Sequence, residues 1–146
     1  MHKKDKDSDS LSLYNARISH GSGFDLLRYS AFDDLLGEEK PQILYVLGKN
    51  MAREHRVTSI ETAIEMFIQM GIGELTHVKE KRSEDIFELT SPLIAARHQA
   101  VENHEYRFES GILAEVMTNC RGFQCETLED IKPKKATVIF TVKHYR

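Results

Sequence analysis

Cysteine is scarce: the 146 residues hold only Cys120 and Cys125, five apart and with no second pair. Neither a disulfide framework nor a four-cysteine zinc site can be assembled from them, and reduced thiols are the expectation. Long apolar runs are also missing. Nothing approaches the roughly 18 to 20 residues that cross a bilayer, and the opening Met1 to Ser10 is polar, without the apolar core of a signal peptide. Both absences predict a cytoplasmic protein with no transmembrane segment. Nor does one charge dominate. Twenty Lys and Arg stand against 23 Asp and Glu, a net of −3, with the two signs interspersed, whereas a nucleic-acid binder carries a basic stripe. No G-x-x-x-x-G-K-[ST] loop, G-x-G-x-x-G fingerprint, H-E-x-x-H or G-x-S-x-G elbow occurs. Gly71-Ile72-Gly73 lies between a predicted helix and a strand, the reverse of a phosphate cradle, and reads as a turn.

The length fits one domain, enough to bury roughly two thirds of the surface of the unfolded chain. Residues 1–22, rich in Lys, Asp and Ser, predict a mobile tail onto which Leu11, Leu13, Tyr14 and Ile18 bring some apolar surface; residues 23–146 form the single domain. Phe24, Leu27, Ala31 and Leu35 recur at helical spacing and mark one face of a first helix that Gly37 stops. Pro41 opens a second helix with Leu44, Leu47, Met51 and Ala52 on one side. Gly48, in its middle, is explained only if another backbone comes close. Thr58 and Glu61 read as a capping box for a third helix carrying Ile60, Ile64, Phe67 and Ile68. Leu75–Val78 and Ile86–Leu89 read as a hairpin, and Ser91-Pro92 opens a short helix. A helix over Phe108–Asn119 follows, then Gly122 turns the chain into a strand from Phe123 to Leu128. The alternating segment Ala136–Val142 is the last strand. Three helices, a hairpin, two helices and a second hairpin indicate an α/β domain of the α+β type. About four antiparallel strands are covered on one face by about five helices.

Candidate chemistry is sparse. His98 and His104 meet each other, Cys120 or Glu115 only through tertiary folding, and no metal is expected. Glu115 interrupts the apolar series Ile112, Leu113, Val116 and Met117. It is either buried against Arg53 or Arg97, or exposed on the outer helix face. Arg121, between the cysteines, is placed to lower a thiol pKa if either thiol is reactive. The least weak catalytic set is Glu115, Arg97, His98 and Cys120; its convergence in one cleft is what an enzyme requires.

The segments Leu44–Arg53, Gly71–Val78, Phe87–Leu89, Phe108–Glu115 and Val138–Val142 resemble the YslB-like family of small bacterial proteins, over about Phe24 to Val142. More widely the chain is similar to the fold of TRAPP-complex small subunits, the 4-vinyl reductase domain and heme nitric-oxide sensors. That resemblance implies an antiparallel sheet packed on helices, a space between the two layers able to take an acyl chain, and a homodimer made by helix packing. Cysteines near the closing strands of 4-vinyl reductase domains have no counterpart between Glu126 and Val142, and no histidine aligns with a heme ligand. Metal, porphyrin and gas-sensing roles therefore do not transfer, and no cofactor is expected. The resulting expectation is a non-enzymatic homodimeric module holding an apolar small molecule or acyl chain between helices and sheet. Leu44, Leu47, Met51, Phe67, Phe87, Leu113, Met117 and Phe140 are the expected lining. A protein-interaction scaffold without ligand and an enzyme are the two alternatives.

Overall fold

A computed structural model describes residues 22–101 and 103–146. The expected tail lies outside them except for Ser22, which opens the first helix. That helix is built in three continuous parts: α1 (Ser22–Leu26), a π-helical turn (Leu27–Ala31) and α2 (Phe32–Leu36). It ends at Gly37, whose φ of 58° and ψ of −138° suit glycine and strain any side-chain-bearing residue. After a 3-10 turn (Gly37–Glu39) come α3 (Lys40–Glu54), α4 (Ile60–Gln69), β1 (Glu74–Glu80), β2 (Glu84–Thr90), α5 (Pro92–Ala100), α6 (Arg107–Arg121), β3 (Gln124–Lys132) and β4 (Thr137–Tyr145). The four strands pair antiparallel in the order β1-β2-β4-β3, so the last strand lies in the middle of the sheet.

Strand alternation puts Leu75, Phe87, Leu89, Cys125, Val138, Phe140 and Val142 on the buried face. They meet Phe67 of α4, Ile94 of α5 and Ile112, Leu113, Val116 and Met117 of α6 in one continuous core. Fixed local signals frame these elements. Ser91 Oγ accepts the Leu93 N–H at 3.2 Å and caps α5, and Gly122 at φ 76° stops α6 in the left-handed conformation.

One expectation is corrected, and one helix is seated opposite to its apolar pattern. Ser59, not Thr58, caps α4, because its Oγ accepts the Thr62 N–H at 3.1 Å while its own backbone is extended. The first helix is turned over. Phe24, Leu27 and Leu35 are 48%, 48% and 78% exposed, and the buried face is Asp25, Arg28 and Tyr29. The reason is that partners for these charges wait on α5 and α6, as described below.

The expected close approach at Gly48 is met by a glycine on the other side. A methyl group at Gly48 would stand 2.1 Å from the Phe108 carbonyl oxygen, and one at Gly111 would stand 2.0 Å from that of Tyr45. The backbones of α3 and α6 therefore touch with no side chain between them. Next to this contact Tyr45 donates its hydroxyl hydrogen to Glu126 and accepts the Thr127 N–H at 3.0 Å, fastening α3 to β3. Gly48→Ala and Gly111→Ala are each expected to lower stability by about 2–3 kcal/mol, because overpacking against a carbonyl outweighs a helix-propensity gain of ~1 kcal/mol. Thermal denaturation followed by circular dichroism checks this; an unchanged or raised melting midpoint in either variant would contradict the crossing.

Candidate functional site

A cavity of about 520 Å³ opens among the helices. Phe24, Met51, Val57, Met66, Ile72 and Phe108 supply its apolar wall, with the exposed Met70 at the rim. His55, Thr62, Glu65 and Gln69 stand on its solvent side, and the buried Arg97 and Glu109 form its floor. Among the described residues, none from a strand lines it. The expected pocket between helices and sheet is therefore relocated: that layer is filled by Phe67, Phe87, Leu113, Met117 and Phe140, all fully buried. Of the expected lining residues, Met51 faces the cavity. Leu44 and Leu47 border a separate cleft of about 90 Å³ beside Phe24 and Phe108.

The floor is an ionic network that joins the first helix to α5 and α6. Arg97 donates from Nε and Nη2 to the two carboxylate oxygens of Asp25, both at 2.8 Å, and from Nη1 to the Tyr106 hydroxyl at 2.9 Å. Arg28 donates from Nη1 and Nη2 to both oxygens of Glu109, again at 2.8 Å, and from Nε to Glu105 at 3.1 Å. Tyr29 donates to the Glu105 carbonyl at 2.8 Å, and Lys40, bonded to Asp33 at 2.6 Å, reaches to 3.9 Å from Glu105. Two-pronged guanidinium contacts of this kind are the form in which buried charge is tolerated. Burial drives the Glu109 carboxyl pKa upward, but the Arg28 charge and hydrogen bond overcome it and leave it below its ordinary value. Burial likewise lifts the Tyr106 phenol, against the pull of Arg97.

Beside the network, His98 Nδ1 lies 3.3 Å from His104 Nε2, and the other ring nitrogen of His104 is buried with no hydrogen-bond partner among the described residues. Burial first, then the neighbouring His98, Arg97 and Arg28, push the His104 pKa down to about 4. His104 is thus neutral at pH 7. Glu115 pairs with Arg53 at 3.1 Å through both oxygens. The Cys120 thiol donates to the Thr58 carbonyl at 3.4 Å, and burial raises both cysteine pKa values. A low-pKa thiolate beside Arg121 is therefore corrected: Arg121 grips Asp85 at 2.6 Å and Glu80 at 2.8 Å instead. Glu115, Arg97, His98 and Cys120 thus have separate partners rather than a shared cleft.

Sequence reading missed Asp25, Arg28, Tyr29 and Glu109 altogether. It also missed the buried Asp85, which accepts from Arg121 and holds His77 at 2.8 Å and His144 at 2.7 Å. Burial works against its charge, but those three hydrogen bonds keep its pKa below the ordinary value.

The antiparallel four-stranded sheet packed on helices is a fold that this chain shares with solved structures. The chain superposes on a crystal structure of a vinyl-4-reductase family protein from Methanocaldococcus jannaschii with a TM-score of 0.57 and 23% identity, covering 70% of this chain and 68% of that one. It also superposes on the phenol-responsive sensory domain of the transcription activator PoxR, solved with phenol, with a TM-score of 0.60 and 12% identity over 88% and 76% of the two chains. Residues 22–143 match the family described as "Protein of unknown function (DUF2507)", and the chain belongs to it. "Uncharacterized protein YslB" of Bacillus subtilis (strain 168) is 31% identical over 120 residues, 82% of this chain and 81% of the relative.

The depressed His104 pKa has a defined consequence for stability. The unfolded chain takes up a proton at this residue near pH 6.5, the folded chain only near pH 4. Between these limits the unfolded state binds more protons, so the contribution is whole above about pH 6.5 and is lost as pH falls toward 4. The melting midpoint is expected to fall between pH 7.5 and pH 5, and by less in His104→Gln, which has no ring to protonate. Equal falls in differential scanning fluorimetry would show that His104 does not set this dependence.

Proposed function

We propose that this protein is a non-enzymatic, homodimeric module that binds an uncharged, largely apolar small molecule in the cavity among its helices. The cavity carries the proposal. At about 520 Å³ it lies within the roughly 300–1,000 Å³ of small-molecule sites, and its wall is mostly apolar. Met51, Met66 and Met70 are unbranched thioethers that adapt to varied ligand shapes. Arg97 and Glu109, the two ionic residues of the floor, are paired with Asp25 and Arg28, so each charge that faces the cavity already has an opposite partner. The shared fold with a sensory domain that holds phenol supports a small aromatic or aliphatic ligand; an acyl chain remains within the same chemistry.

Among the described residues no helix is long and apolar enough to cross a membrane. The proposal extends to a cytoplasmic location, which the two unpaired thiols support. Dimerisation draws support from the overturned first helix. Phe24 and Leu27 leave apolar surface outside, as do Val46 and Leu47 of α3, more than scattered single residues require.

The uncharged dye N-phenyl-1-naphthylamine tests the cavity, in a chain that has no tryptophan emission of its own. Saturable enhancement of its fluorescence is expected, weakened at least tenfold in Met51→Trp and Ile72→Trp while both variants keep the parent helical spectrum. Absence of saturable binding, or unchanged affinity in both folded variants, would sink the cavity reading. Native mass spectrometry tests assembly: a species at twice the 16.8 kDa chain mass is expected, returning to the single mass in Val46→Asp. A parent protein that is monomeric at micromolar concentration removes the dimer from the proposal.

A further inference from the structure

We infer that the helical segment Ser22–Leu36 is a lid on this cavity, hinged at Gly37 and latched by the Arg97–Asp25 and Arg28–Glu109 pairs, so that ligand occupancy and lid closure are coupled. The inference rests on the cavity-binding reading. Its basis is that the same residues serve both structures. Phe24 of the segment is part of the cavity wall, and the two buried ionic residues of the cavity, Arg97 and Glu109, are the anchors that hold Asp25 and Arg28.

The segment is attached differently from α4, α5 and α6. α4, α5 and α6 contribute large apolar side chains to the core, whereas the first segment turns Phe24, Leu27 and Leu35 outward and inserts Asp25, Arg28 and Tyr29. An apolar joint that opens loses its burial free energy with nothing in return. An ion-pair joint that opens to water recovers the hydration it gave up on closing, so its net strength is modest although its geometry is exacting. That combination describes a latch.

Local backbone structure fits the same role. In the π-helical turn the Phe32 N–H bonds the Leu27 carbonyl, five residues back, and the extra residue per turn lets the consecutive Arg28 and Tyr29 both point into the body. Such turns concentrate at functional positions. Gly37, with φ of 58° and open space about it, is the natural pivot between the segment and α3. A ligand seated over Arg97 and Glu109 displaces water from the pairs, lowers the local dielectric and tightens the latch. Release of ligand then waits on lid opening.

Hydrogen-exchange mass spectrometry of the full chain, with and without saturating N-phenyl-1-naphthylamine, tests the coupling together with stopped-flow release of the dye. Without dye, residues 22–36 are expected to exchange together and faster than α3 and α6. Dye is expected to slow exchange of 22–36 at least threefold, and Asp25→Asn combined with Arg28→Gln is expected to speed release at least tenfold. If that pair of changes prevents folding, Arg28→Lys, which keeps the charge and loses the two-pronged contact, is expected to speed release by a smaller factor. Dye that binds without altering exchange of 22–36, or leaves the latch variants at the parent rate, overturns the lid while the cavity reading stands. Dye that does not bind overturns the cavity reading and the coupling with it.

Discussion

The contact between the backbones of α3 and α6 at Gly48 and Gly111 determines where nearly everything else can be. Two carbonyl oxygens occupy the space that side chains would need, so α3 lies as close to α6 as helices can. That distance lets the Tyr45 hydroxyl reach both Glu126 and the Thr127 N–H of β3, with Lys49 bonding Glu126 at 2.7 Å. It also sets Arg53 within reach of Glu115. α6 is thereby shared. One side gives Leu113, Val116 and Met117 to the sheet, another gives its glycine to α3, and its first turn gives Glu109 to the first helix. A substitution at the crossing would move all three relations at once.

The ionic network does for the first helix what the glycine contact does for α3, by opposite means. Backbone contact is short-ranged and tolerates no substitution. The long arms of Arg28 and Arg97 bridge a gap and fix orientation through paired hydrogen bonds. Removing one member of either pair leaves a buried charge alone, which costs more than the intact pair contributes. Tyr29 closes the arrangement with its hydroxyl on the Glu105 carbonyl and its ring near Lys40 and Arg97. The network therefore specifies one seating of the helix more than it adds stability.

The two glycines show what was legible in the sequence. A glycine inside a strong helical pattern is costly, and a close crossing was the physical reason available for Gly48, with Gly111 its counterpart on α6. The β2 and β4 patterns, the Ser91-Pro92 start and the Gly122 stop were equally readable, because each depends on neighbours in the chain. The first helix was readable as a helix and not as an orientation. Phe24, Leu27 and Leu35 share one face and Asp25, Arg28 and Tyr29 another, and periodicity ranks the apolar face inward unless the partners of the charges are known. Those partners lie more than seventy residues away. The same distance hid the site: Met51 was placed on it, while Arg97 and Glu109 gained meaning only from Asp25 and Arg28. Five of the eight expected lining residues belong to the helix–sheet core, since an apolar position on a helix or strand does not say whether its neighbour is a side chain or a space.

Why a space persists there follows from the kind of residue that surrounds it. Protein interiors close over voids when flexible apolar side chains can rotate into them. On the floor of this cavity the side chains cannot do so. Arg97 is held at three nitrogens by Asp25 and Tyr106, and both oxygens of Glu109 are held by Arg28; swinging any of them inward would strand its partner. The rigid α3–α6 contact prevents the helices from settling toward each other instead. Cavity and network are thus two aspects of one construction, in which paired charges hold a floor open beneath a wall of methionine and aromatic side chains. The floor is a surface that the protein's own side chains are not free to cover.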